Sequence, residues 1–241
     1  MTLPHILIVQ AVYTDPKLSQ RRLNITKHTL APALQSQIHK PTIHLAQHPD
    51  DPNALERASL LENTGCVTLP IWRDSWKLHR EDYEIPKGKC LVSRCDDDDS
   101  LSRDFFSLTY AVADKQDSAC ALIWPNGYVL WRSKGYKLHH PGNQFVSLLT
   151  YSGDSPHDLV HTEYPKQWRT VTVSNDTGWI WIRHGDAHSS TLPRYRQNQV
   201  NRIDAPRFNI NLRAVGRAIA ASGTASANYK EHRENHAQKS L

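Results

Sequence analysis

Gly88-Lys-Cys-Leu-Val-Ser-Arg-Cys95 runs without a break into Asp96-Asp-Asp-Asp99, and Ser100 follows. The first half of this stretch has the apolar pattern of a buried strand. Ser100 is suited to cap a helix over Leu101–Ala113. Four like charges in a row are costly unless something positive sits among them. A solvated acidic turn is one reading. A cation site is the other, and position argues for it, because open α/β sheets bind ligands just beyond the carboxyl ends of their strands. An all-oxygen donor set suits Mg2+ or Mn2+ better than zinc, and such an ion can bridge a diphosphate.

Outward from this stretch, strand and helix alternate. His5–Tyr13 reads as a strand buried on both faces, and Ser19–Ile38 as a helix broken or kinked at Pro32. Thr42–Gln47 is a second strand, Asn53–Glu62 a helix ending near Gly65, and Cys66–Ile71 a weaker strand. The alternation predicts an α/β sheet with parallel strands. Downstream, Ala119–Trp124 and Tyr128–Arg132 flank Pro125-Asn126-Gly127, a hairpin signal. Gln144–Tyr151 and Trp179–Arg183 are further strands, and Phe208–Ala220 is a helix. From Ser222 the chain is polar and reads as a mobile tail.

The 241 residues suffice for one large domain, and seven Trp and nine Tyr argue against wholesale disorder. The longest apolar run is a handful of residues near Ala119–Trp124, far short of the ~20 needed to cross a bilayer. The N-terminus lacks the basic region and cleavage site of a signal peptide, which predicts a cytoplasmic protein. Cys66, Cys90, Cys95 and Cys120 form no CxxC pair and read as reduced, structural thiols. The net charge of +5 suits an acidic partner. Residues 194–241 hold nine Lys/Arg against three acids. This divides the chain into a domain over 1–193 and a basic C-terminal extension over 194–241.

Ser93-Arg-Cys-Asp-Asp-Asp-Asp-Ser-Leu-Ser-Arg-Asp-Phe105 resembles the S-R-x-D-x-D-D-A-x-x-x-D-F signature of the bacterial and phage rhamnosyltransferase family. Arg22 and Thr29-Leu-Ala-Pro-Ala-Leu-Gln-Ser-Gln37 resemble its L-x-P-S-L-x-x-Q helix region. Trp124-Pro-Asn-Gly-Tyr128, Asn143-Gln-Phe-Val-Ser-Leu-Leu149 and Trp179-Ile-Trp-Ile-Arg-His-Gly185 resemble its later segments. The loop after Gly185 departs from the pattern, with Asp186, His188 and Ser189.

The resemblance implies a GT-A-like single domain, with a mixed, mostly parallel sheet flanked by helices. It implies transfer of a sugar from a nucleotide-diphosphate sugar to an acceptor hydroxyl. Asp96 and Asp98 would be the DxD pair on the donor's metal and diphosphate, with Asp99 following and Arg94 beside the phosphates. The cofactor would be Mn2+ or Mg2+, with His184 as a further metal ligand. A divalent ion would offset the charge developing on the leaving diphosphate. An inverting transfer needs a base. Asp154 is the first candidate, His157 stands where the family has a His, and Asp158 is a third. Asp154 reads equally as a turn residue.

Arg94 reads equally as a structural partner of the aspartates. Arg21 and Arg22 are weaker candidates for the same role beside the phosphates, and read first as solvated helix residues. His184, Asp186 and His188 alternate, so an extended chain would turn them to one face. Trp72, Trp76, Trp179 and Trp181 read as core, or as platforms for a sugar or base.

The resemblance implies a saccharide acceptor. The basic extension, through Arg194, Arg196, Arg202, Arg207, Arg213 and Arg217, admits DNA as acceptor or an anionic membrane surface. A non-catalytic glycan- or nucleic-acid-binding module and a metal-dependent nuclease are the alternatives of other classes.

Overall fold

The first apolar stretch forms β1 (His5–Ala11), buried along nearly its whole length because it lies inside a sheet. The computed structural model describes residues 3–74, 84–131, 134–156, 163–184 and 198–221. Helix α1 (Pro16–Thr26) starts at Asp15, whose carboxylate accepts from the backbone N–H groups of Lys17 at 2.7 Å and Leu18 at 3.0 Å. Helix α2 (Leu30–Ser36) follows after a break at 27–29. The expected break at Pro32 is therefore corrected. Pro32 lies in the first turn of α2, where its missing N–H would have had no partner.

The chain continues through β2 (Thr42–Gln47), α3 (Ala54–Glu62), β3 (Thr68–Trp72) and β4 (Cys90–Asp96). Next come β5 (Ser100–Leu101), α4 (Phe105–Asp114), β6 (Cys120–Ile123), β7 (Asn126–Trp131), β8 (Lys134–His139) and β9 (Ser147–Thr150). The last elements are α5 (Tyr164–Gln167), β10 (Thr170–Thr172), β11 (Thr177–Arg183), β12 (Gln199–Val200), a 3-10 turn (Ala205–Phe208) and α6 (Leu212–Ala221).

The larger sheet has the order β10-β6-β9-β4-β1-β2-β3. Its β4, β1, β2 and β3 are parallel, and β9 runs antiparallel between β4 and β6. The second sheet has the order β12-β8-β7-β11-β5. The whole is a mixed α/β architecture consistent with a GT-A-like single domain.

Two local readings are corrected. Ser100 does not cap a helix: Ser100 and Leu101 pair with Ile180 and Trp179 of β11, and α4 starts only at Phe105. Residues 125–127 do not close a hairpin, because β6 belongs to the larger sheet and β7 to the second. The chain crosses between sheets there, and β7 forms its hairpin with β8 instead.

Aromatic rings fill the space between the sheets. Trp179 stacks on Phe145 with centroids 5.0 Å apart, and Trp124 on Phe105 at 5.2 Å. The Trp179 indole N–H donates to the Trp124 carbonyl at 2.8 Å. Gly127 makes room for this: a Cβ there would lie 2.1 Å from the Trp179 ring. Residues 198–221, assigned by charge to an extension, pack into the second sheet's outer core. Ile203, Phe208 and Val215 are buried with Ile180, Ile182 and Ile25. Cys66, Cys90, Cys95 and Cys120 are buried free thiols.

Candidate active site

Asp96 ends β4, and the chain turns at once, with the Asp99 N–H reaching the Asp96 carbonyl at 3.3 Å. From the next residue, Ser100, it is locked into the second sheet as β5. The four aspartates thus span the gap between the two sheets at the carboxyl end of β4. Gln37, at the end of α2, holds the exit of this turn. Its amide donates to the Ser102 carbonyl at 2.7 Å and accepts from the Phe106 N–H at 3.3 Å.

The aspartates divide by direction. Oxygens of Asp96, Asp98 and Asp99 lie within 4.8 Å of one another. Asp97 points away and is wholly buried. Its Oδ1 accepts from Tyr13 Oη and Arg22 Nη2, each at 2.7 Å, and its Oδ2 lies 3.6 Å from Arg57 Nε. Arg57 is also fully buried and donates to Asp51 Oδ2 at 2.6 Å and Ser19 Oγ at 3.0 Å. Asp97 therefore anchors the turn to α1 and α3, while the other three converge on one point.

Arg22 lies at the centre. Its Nε donates to Tyr13 Oη at 2.7 Å, its Nη2 to Asp97, and its Nη1 makes a short contact with Asp98 Oδ2. His184, just beyond β11, brings Nε2 to 2.8 Å from both Asp98 Oδ2 and Arg22 Nη1. Asp99 accepts from the Ile182 N–H at 2.9 Å and from Gln144 Nε2 at 3.2 Å.

The electrostatics follow from these contacts. Burial pushes the Asp99 carboxyl well above the usual range, and repulsion from Asp98 and Asp96 adds to it. Burial also raises Asp96, against the pull of Arg94. For Asp98 burial acts upward too, but Arg22 and the contact with His184 override it and hold the carboxyl low. The carboxyls of Asp96, Asp98 and Asp99 thus crowd together, with the Arg22 guanidinium and the His184 imidazole against Asp98 and the pull of Arg94 on Asp96. A divalent cation among these oxygens would favour their ionised forms and offset their mutual repulsion. The all-oxygen set and its spacing fit a hard ion of that kind.

Of the residues expected at the site, Asp96, Asp98 and Asp99 come together, and His184 joins them through Asp98. Arg94 acts on Asp96, and its Nε is buried with no hydrogen-bond partner. Asp154 is not brought to the carboxylates. In the antiparallel pairing of β9 with β4, Thr150 lies opposite Cys90, so Asp154 follows at the far end of the sheet. Six residues of strand separate Cys90 from Asp96, about 20 Å. Asp154 instead closes its own turn, accepting from Ser152 Oγ and from Thr150 Oγ1 at 3.3 Å. His157, Asp158, Asp186, His188 and Trp76 lie outside the described residues.

Other expectations resolve by burial. Trp179 is core, Trp181 lies under the Arg183 guanidinium at 3.5 Å, and Trp72 is 49% exposed on the edge strand β3. Arg207 pairs with Asp104 at 3.0 Å and Asp176 at 3.4 Å, so its charge is already engaged. Arg22 is no solvated helix residue, since its side chain is only 11% exposed. Tyr13, Arg57, Asp51 and Gln144 escape a reading of the sequence. Each is a single polar residue in a loop or helix, marked by no spacing.

Residues 70–196 match the family described as "putative rhamnosyl transferase". The chain belongs to this family, and it is a glycosyltransferase. The match contains the four aspartates, Gln144 and His184; Arg22 and Tyr13 lie upstream of it. No curated protein matches the chain. Among the described residues no helix is long and apolar enough to cross a membrane.

Proposed function

We propose that this glycosyltransferase depends on a divalent cation, Mn2+ or Mg2+, and takes its sugar from a nucleotide-diphosphate donor. Asp96, Asp98 and Asp99 hold the cation, with His184 beside Asp98. The observation that carries this reading is the convergence of three carboxyl groups at the carboxyl end of β4. When bound, the ion supplies positive charge for the diphosphate leaving group.

The chain's own residues set the stage. Asp97 and Arg57 fix the turn so that its neighbours point one way. Gln144 and the Ile182 N–H orient Asp99. Arg94, whose charge acts on Asp96, is the residue to meet a phosphate oxygen. The acceptor is a saccharide hydroxyl.

The test is calorimetry with UDP, GDP, dTDP and ADP, each with and without Mn2+, on wild type and Asp98→Asn. One nucleotide should bind in a Mn2+-dependent way, and Asp98→Asn should lose that dependence while keeping its circular dichroism. Failure of every nucleotide to bind the wild-type protein overturns the reading.

A further inference from the structure

We infer that Arg22 is a built-in counter-cation of the carboxylate site, and that Nη1 must leave Asp98 and His184 before a divalent ion can take them. The inference rests on the cation reading above and adds which side chain competes with the ion.

Three atoms meet here. Arg22 Nη1 contacts Asp98 Oδ2 and lies 2.8 Å from His184 Nε2, and His184 Nε2 lies 2.8 Å from Asp98 Oδ2. A guanidinium can only donate. To accept from Nη1, His184 Nε2 must present a lone pair, and it then has no hydrogen to give Asp98. If Nε2 carries a hydrogen, it donates to Asp98 and confronts the Nη1 hydrogens instead. One side of the triangle is therefore unsatisfied in either tautomer. A cation in place of Nη1 removes the conflict, because both Nε2 and Oδ2 can then point a lone pair at it. The arrangement is that of a cation site whose occupant is a side chain.

The guanidinium is held so that this end alone can let go. Nε is tied to Tyr13 Oη and Nη2 to Asp97 Oδ1, each at 2.7 Å. These two groups form one edge of the planar fork, and Nη1 is the remaining corner. Tyr13 itself donates to Asp97 at 2.7 Å, so the anchoring edge is closed without Asp98. Arg22 can thus yield Asp98 and remain in the site, its charge directed at whatever anion arrives with the ion.

The experiment titrates Mn2+ alone into wild-type protein and Arg22→Gln, following free Mn2+ by electron paramagnetic resonance. Arg22→Gln should bind Mn2+ at least about tenfold more tightly, the low end for removing a close competing charge. Equal or weaker binding by a folded Arg22→Gln overturns the inference and leaves the cation reading standing. Binding by neither protein, with or without a nucleoside diphosphate, overturns both. Should Arg22→Gln fail to fold, nitrogen-15 spectra of the wild-type arginine side chains decide. Mg2+ should shift the Arg22 Nη resonances and leave its Nε–H in place; no shift at saturating Mg2+ overturns the inference.

Discussion

Two adjacent carboxylates in the same acidic run should respond to the same substitution with opposite sign. Asp97→Asn removes the charge that neutralises Arg22 and Arg57, and Asp97 is wholly buried between them. Breaking a buried pair by removing one partner costs about 3–5 kcal/mol, because the remaining charge is stranded. For a domain of this size each kcal/mol lowers Tm by roughly 2–4 °C, so the melting point should fall by at least about 6 °C. Asp96→Asn does the reverse. Burial already favours the uncharged form of Asp96 over its pairing with Arg94. An amide there mimics that form and relieves repulsion with Asp98 and Asp99. Its Tm should equal or exceed that of wild type. The assay is thermal denaturation by circular dichroism in EDTA, which removes any bound ion from the comparison. An Asp97→Asn melt within 2 °C of wild type, or equal losses in the two variants, would refute the division of the run into anchor and ligands.

Three further outcomes are expected. Burial, with a smaller contribution from His39, holds the His5 imidazole well below its ordinary value. The stability it contributes is therefore present above about pH 6.5, where the imidazole of the unfolded chain is also largely neutral, and is lost as pH falls below that, by up to about 1.4 kcal/mol per unit. Urea midpoints at pH 7 and pH 5 should differ less in His5→Gln than in wild type. In Gly127→Ala the new methyl would meet the Trp179 ring at 2.1 Å, and a ring stacked on Phe145 has nowhere to go. Overpacking of this kind costs about 1–3 kcal/mol, and a melt unchanged from wild type would show that the ring can shift. Asp154→Ala should keep transfer within a few-fold of wild type, since among the described residues Asp154 bonds within its own turn; loss of turnover without loss of Tm would return it to the site.

The chain's local chemistry determines much of this protein by itself. Largely apolar stretches over His5–Ala11, Thr42–Gln47 and Cys90–Asp96 point to buried parallel strands, because a strand covered on both faces cannot alternate apolar with solvated residues. The acid run beyond β4 marks the site for the same reason: charge that is costly to cluster needs a partner. The sequence reading goes wrong where one short pattern admits two partners. Pro125-Asn126-Gly127 could close a hairpin or cross between sheets, and Ser100 could cap a helix or begin a strand. Only packing against β11 decides both. The same limit governs the site. Local sequence places four aspartates side by side, but it does not say that Asp97 turns toward Arg57 while its neighbours turn away. Nor does it reveal that Arg22, 76 residues before Asp98, reaches Asp98. Those contacts join residues far apart in the chain, and their energies exist only once the two sheets have closed around the turn.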